Sequence, residues 1–90
     1  MNKTSFNVAA AGILAACAGA GRLGAPAGHM YAALMGNGYS LQDFEQIMGA
    51  LVQSGHVVKH GECYTLTAKG AALNASIDAA IAEHQQRAAA

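Results

Sequence analysis

The segment from Ser40 to Gly55 constrains the fold more than any other part of the chain. Its apolar residues recur at spacings of three and four, which places their side chains on one face of an α-helix. They are Leu41, Phe44, Ile47, Met48, Leu51 and Val52. Ser40 and Asp43 have the spacing of a capping box, with Asp in place of Glu or Gln, and Gly55 suits the left-handed residue after a helix. The segment therefore predicts an amphipathic helix that anchors a core.

Two further helices are predicted before this segment. Thr4 or Ser5 can cap the first helix, whose apolar residues recur at helical spacing before glycines end it. Those apolar residues are Phe6, Ala10, Ile13, Leu14 and Cys17. Pro26 suits the first position of a short second helix, because an N–H at that position would have no partner in any case. Gly36-Asn37-Gly38 stops this helix and leaves a short connection to the third.

A hairpin and a last helix complete the chain. Val57 and Val58 lead into a turn at His60-Gly61-Glu62-Cys63, and Tyr64 to Leu66 lead back. Thr67 caps a C-terminal helix over residues 67–87. The predicted order is helix, helix, helix, hairpin, helix. This order is a mainly α fold with a small β-hairpin, and it makes residues 1–90 a single domain.

Composition bears on the size of the core and on the compartment. Of 90 residues, 53% are hydrophobic, but many are alanine and bury little area, so a dimer would help a thin core. Two cysteines are too few for a disulfide scaffold and favour a reduced, cytoplasmic protein. The apolar run Val8 to Ala20 is shorter than a bilayer span. We interpret it as a buried helix, with a signal peptide as the alternative, and expect no membrane partner.

The stretch from His29 to Gly70 resembles the winged helix-turn-helix superfamily. The resemblance is carried by Met30-Tyr31-Ala32-Ala33-Leu34, by Ser40 to Gly55 and by Leu66-Thr67-x-Lys69-Gly70. It implies that the third helix enters the major groove of double-stranded DNA and that the hairpin, as a wing, touches the DNA backbone. By position, the implied contacts of the third helix are Gln42, Asp43, Glu45, Gln46, Gly49, Ala50 and Gln53. Those implied for the wing are Lys59, His60, Gly61 and Glu62. The implied function is transcription regulation.

The charge pattern leaves a second function open. Five basic and five acidic residues give a formal net charge of zero, whereas phosphate contacts by Lys and Arg supply much of the affinity for DNA. The outer face of the third helix carries Asp43 and Glu45 and no Arg or Lys. The alternative is a winged helix that docks on another protein, as a small inhibitor or adaptor of a mobile element would.

The last helix is the predicted dimer interface. Leu73, Ile77 and Ile81 follow one another at four-residue steps and have alanine neighbours that permit close helix packing. With Phe6 and Ile13 of the first helix they are expected to pack across the two-fold axis of a homodimer. The alternative is that this stripe packs on the first helix of its own chain.

We expect no catalytic, metal or cofactor site. His56, His60 and Cys63 are zinc-ligand types at short spacing, but a fourth ligand would have to come from elsewhere, from His29 or His84, and the simpler interpretation is that they are ordinary hairpin residues. The glycine fingerprint Gly19-x-Gly21-x-x-Gly24 follows a helix, not the strand that a dinucleotide site needs. No catalytic triad or paired carboxylates can be argued from so few polar residues, so the chain is not expected to be an enzyme.

Overall fold

The computed structural model of the protein describes residues 1–89, and it is mainly helical with a small three-stranded antiparallel sheet. In chain order the elements are α1 (Lys3–Ala20), a 3-10 turn (Gly21–Leu23), β1 (Ala25–Pro26), α2 (Ala27–Gly36), α3 (Leu41–Gln53), β2 (Val57–His60), β3 (Cys63–Leu66) and α4 (Ala68–Ala89). The strand order in the sheet is β1-β3-β2. The predicted mainly α architecture with a β-hairpin is confirmed at this level, and β1 is an addition to it.

α1 begins earlier than the sequence predicted. The side chain of Asn2 accepts a hydrogen bond of 2.8 Å from the backbone N–H of Ser5 and is the N-cap. Thr4 and Ser5, the predicted caps, lie inside the first turn. An asparagine satisfies an unpaired N–H of the first turn as well as a serine or threonine does. The helix ends where Gly21 takes a positive φ of 59°.

β1 is a two-residue strand that follows the 3-10 turn. Ala25 pairs with Tyr64, and Pro26 pairs with Cys63. Pro26 has φ −65° and ψ 134°, so it is the extended N-cap of α2 and not the first helical residue that was predicted. Gly24, at φ 83°, comes so close to β3 that a Cβ atom there would be 3.0 Å from the Cβ of Cys63. Glycine is therefore needed at this position.

α3 has the predicted capping box and a narrower buried face than predicted. The Asp43 N–H donates to Ser40 Oγ, and the Ser40 N–H donates to Asp43 Oδ2, each at 3.0 Å. The buried residues are Phe44, Ile47, Met48 and Leu51. Leu41 and Val52 lie together at one edge of this face and are 51% and 43% exposed. The prediction that they belong to the buried face is wrong.

The core lies between α1, α3 and the sheet. Ile13, Leu14 and Cys17 of α1 are almost fully buried in it, with Ile47 and Val57. Within Lys3–Leu23 an 18-residue window has a mean hydropathy of 1.4, and the segment is long and apolar enough to cross a membrane, which the shorter Val8–Ala20 run is not. Of that window 28% is buried, on the face that places Ile13, Leu14 and Cys17 in the core.

A junction of hydrogen bonds holds the end of α3 to the start of α4. The Thr67 hydroxyl donates to the Gly55 carbonyl and accepts from the Gly70 N–H. The Lys69 ammonium donates to the carbonyl of Ser54 at 2.7 Å, where a cation complements the negative end of the helix dipole. Thr67 thus caps α4, as predicted, and the junction holds the end of the β2–β3 hairpin close to the end of α3.

α4 packs on α1 only along its first half. Leu73 and Ile77 face a groove that Phe6 and Leu14 also line, so they pack toward their own chain. Ile81 is 51% exposed, and the described side chains from residue 78 onward are all exposed. Ile13 is 2% exposed inside the protomer core. We therefore remove Ile13 from the expected dimer interface, because it has no surface to offer.

Candidate nucleic-acid interface

A row of uncharged residues runs along the outer side of α3. Gln42, Gln46, Gly49 and Gln53 are all exposed. Their spacings of four, three and four place them within a narrow arc of the helix, because each residue turns about 100°. That arc is opposite the buried face that contains Phe44 and Leu51. We call these four residues the amide row.

The amide side chains of this row are free to contact a partner. In the described part of the chain, none of the three glutamines forms a hydrogen bond with another protein group. Each amide offers one carbonyl acceptor and two N–H donors. Gly49 interrupts the row without a side chain, and a Cβ atom there would have no neighbour within 4 Å. A partner can therefore approach the helix backbone closely at its middle.

The β2–β3 hairpin, the predicted wing, places one cation beside the amide row. β2 and β3 are joined by Gly61 and Glu62, with Gly61 at φ 61°. Lys59 lies opposite Tyr64 in the hairpin register, on the strand face that looks toward α3. It lines a shallow groove of about 370 Å³ with Glu45, Gly49 and Gln53. The structure therefore brings the predicted Lys59, Glu45 and Gln53 together.

His60, another residue predicted for the wing, lies on the side of the hairpin opposite Lys59. Because side chains alternate along a strand, His60 points to the face opposite that of Lys59. It lines a separate groove of about 650 Å³ with Arg22 and Cys63. His60 therefore does not join the amide row, and we leave it out of the candidate interface.

Two basic residues are engaged elsewhere within the protein. Lys69 donates to Ser54, and Arg87 forms an ion pair with Glu83 one turn away on α4. Arg22 lies with His60 on the far side of the wing. Lys59 is a cation that lines the groove along the outer face of α3. Asp43, one of the two acids of that helix, has its carboxylate occupied in the capping box.

An apolar edge formed by Leu41 and Val52 adjoins the interface, and neither residue was among the predicted site residues. Val52 lines the groove between α3 and the wing, with Phe44, Met48 and Tyr64 at its base. Leu41 is exposed at the same edge of the helix. The sequence held a signal for this edge. Both residues lie at the margin of the apolar helical face, where a side chain can contact either the core or a partner.

The possible zinc ligands of the hairpin do not converge. His56 Nδ1 lies within hydrogen-bond distance of Ser54 Oγ, while His60 and Cys63 face the groove near Arg22. Among the described residues, no three His, Cys, Asp or Glu side chains form a group suited to a metal ion.

Comparisons with protein-family models, with curated proteins and with solved structures found no match to this chain. Function is therefore inferred from the geometry of the site.

Proposed function

We propose that the protein is a winged-helix DNA-binding protein that acts as a homodimer and regulates transcription in the cytoplasm. The order of its elements supports the proposal. A helix, a short strand, two helices and a two-stranded wing follow one another, and the short strand pairs with the wing. In this arrangement α3 is the helix that enters the major groove, and β2 and β3 form the wing.

The amide row is the observation that carries the proposal. A major groove about 12 Å wide admits one α-helix, and base edges there present both donors and acceptors. The row provides both on the side of α3 that is opposite the core, and Lys59 lines a groove with two of its members, Gly49 and Gln53. Glu45, which lines the same groove as Lys59, is able to accept from the amino group of cytosine.

The proposal includes a dimer because a single protomer has few cations for a duplex. Two protomers present two Lys59 side chains and two amide rows, which a two-fold axis would place about 34 Å apart, one turn of DNA. The exposed second half of α4, with Ile81, is the surface that we assign to the dimer contact. Phe6, Leu73 and Ile77 flank it on the groove that α1 and α4 share.

Binding to duplex DNA tests the proposal. Fluorescence anisotropy with labelled genomic fragments is expected to show saturable binding with a shallow salt dependence. The slope of log K against log salt is expected to be about −2 per dimer, since each Lys59 neutralises one phosphate. Lys59→Gln is expected to weaken binding to all fragments and to flatten the slope. Arg87→Gln removes the same charge at the far end of α4 and is the matched control.

The negative outcomes are equally definite. Absence of saturable binding to any fragment would overturn the proposal. Equal effects of Lys59→Gln and Arg87→Gln would show that the wing is not the site of contact.

A second candidate function is docking on a protein through the same surface. The exposed Val52 and Leu41 favour it, as does the shortage of cations beside α3. Affinity capture from a cell extract, followed by identification and titration of the purified partner, tests this function. Val52→Ser is expected to weaken that complex at least tenfold. An unchanged affinity of Val52→Ser for the captured protein would contradict protein docking.

A further inference from the structure

We infer that the amide row is specific for A·T base pairs, so that the target of the protein is an A·T-rich sequence. The inference rests on the proposed function, because it assumes that α3 enters a major groove. It adds the class of sequence that is bound and the residues that select it, Gln42 and Gln46.

The first support is the chemistry of the exposed face. Adenine presents a donor at N6 beside an acceptor at N7, and one glutamine amide matches both with its own acceptor and donor. Guanine presents two acceptors, N7 and O6, and the side chains that match both are Arg and Lys. α3 has no Arg or Lys between Leu41 and Gln53. The strongest guanine contact is therefore absent from this helix.

The second support is the spacing within the row. Gln42 and Gln46 are one helical turn apart, about 6 Å along the axis. Successive bases of one strand are about 3.4 Å apart. A helix that follows the groove runs obliquely to the DNA axis, and side chains three or four residues apart on it reach successive bases. The two amides are therefore suited to two adenines that are close together on one strand.

The third support is the apolar edge beside the row. The thymine methyl group lies in the major groove, and apolar side chains are its usual contact. Val52 is exposed next to Gly49, where no side chain blocks close approach. Thymine is therefore accommodated here more readily than cytosine. Glu45 is the exception, since it favours an amino group, and the amino group of adenine or of cytosine satisfies it.

Selection from a duplex pool with a randomised core of about 20 base pairs, two half-sites long, tests the inference. The wild type is expected to enrich A·T-rich duplexes with paired adenines in each half-site. Gln46→Ala and Gln42→Ala are expected to lose roughly 10- to 100-fold of the discrimination between the selected duplex and one with G·C at those adenines. Gln86→Ala, on the exposed side of α4 that is turned away from Ile81, is the matched control and is expected to behave as wild type. Circular dichroism confirms that each variant is folded.

The outcomes separate the inference from the function on which it rests. Enrichment of G·C-rich duplexes, or an unchanged preference in both glutamine variants, would overturn the inference and leave DNA binding standing. Enrichment of no duplex would overturn the proposed function and the inference together.

Discussion

Gly70 packs directly against the backbone carbonyl of His56. A Cβ atom at Gly70 would overlap the His56 oxygen and would come within 3.2 Å of a methyl group of Leu66. The contact occurs where α4 starts and where the chain passes from α3 into the wing. A helical glycine is thus required here by space alone, and this close approach sets the angle of the wing to α3.

Replacement of Gly70 is expected to destabilise the protein although alanine favours helices. Gly70→Ala should lower the free energy of unfolding by about 1–3 kcal/mol or more, the usual effect of overpacking. Gly12→Ala is the control, since a Cβ at Gly12 meets nothing within 4 Å. Alanine there should raise stability by up to about 1 kcal/mol. Urea unfolding measures both, and a harmless Gly70→Ala would contradict the described junction.

A buried and a half-exposed leucine of α3 provide a second stability test. Leu51 is buried and Leu41 is half exposed on the same helix. Leu51→Ala should cost about 2–5 kcal/mol, as expected for loss of a buried leucine. Leu41→Ala should cost about 0.5 kcal/mol or less, as for a surface change. Equal shifts in the urea midpoint would show that the buried face has been assigned wrongly.

The two thiols should differ in reactivity. Cys17 is 1% exposed, and burial raises the pKa of its thiol, so little reactive thiolate forms in the folded protein. Cys63 is half-buried and faces an open groove. In a labelling assay at neutral pH, the Cys17→Ala variant should react quickly through Cys63. The Cys63→Ala variant should react much more slowly, because Cys17 lines the same groove but is nearly covered. Similar rates in the two variants would contradict the burial of Cys17.

The raised pKa of Cys17 also predicts a pH dependence of stability. The folded state holds the thiol proton more tightly than the unfolded state does. This stabilisation is fully present below the ordinary thiol pKa and is lost as the pH rises through the folded pKa. The free energy of unfolding of Cys63→Ala should therefore fall at alkaline pH by more than that of the double variant that also carries Cys17→Ala. Parallel curves would argue against this assignment.

Assembly through α4 is tested by the mass in solution. Light scattering at micromolar concentration should give twice the mass of the chain, because Ile81 is left without a partner in the protomer. Ile81→Glu should give a folded monomer, since a buried unpaired carboxylate opposes association. Gln86→Glu adds the same charge on the side of the helix turned away from Ile81 and should remain a dimer. A monomeric wild type would remove the dimer from the proposal.

Local sequence signals predicted the helix ends at which a nearby side chain caps the backbone or a glycine takes a positive φ. Ser40 with Asp43, Gly55 and Thr67 are of this kind, and each does what its residue type predicted. β1 could not be predicted in the same way. Ala25 and Pro26 have neither alternation nor β-propensity, and they are extended because β3 lies beside them.

The candidate interface was predictable only in part for a similar reason. The outward positions of α3 follow from helical periodicity. The side of the wing on which Lys59 and His60 lie depends on the hairpin register, in which Lys59 is opposite Tyr64. A shift of one residue would exchange the two side chains. Likewise, the contact of Lys69 with Ser54 joins residues that are 15 positions apart, which no local pattern indicates.

The contact between the amide row and DNA is tested most directly by nuclear magnetic resonance. Titration of nitrogen-15-labelled protein with the tightest-binding genomic fragment reports on every backbone amide and on the glutamine side chains. The account predicts that the largest shifts occur at Gln42, Gln46 and Gly49 and at Lys59 of the wing, with small changes on the exposed half of α4. Shifts confined to α1 and α4, or none with any fragment, would contradict it.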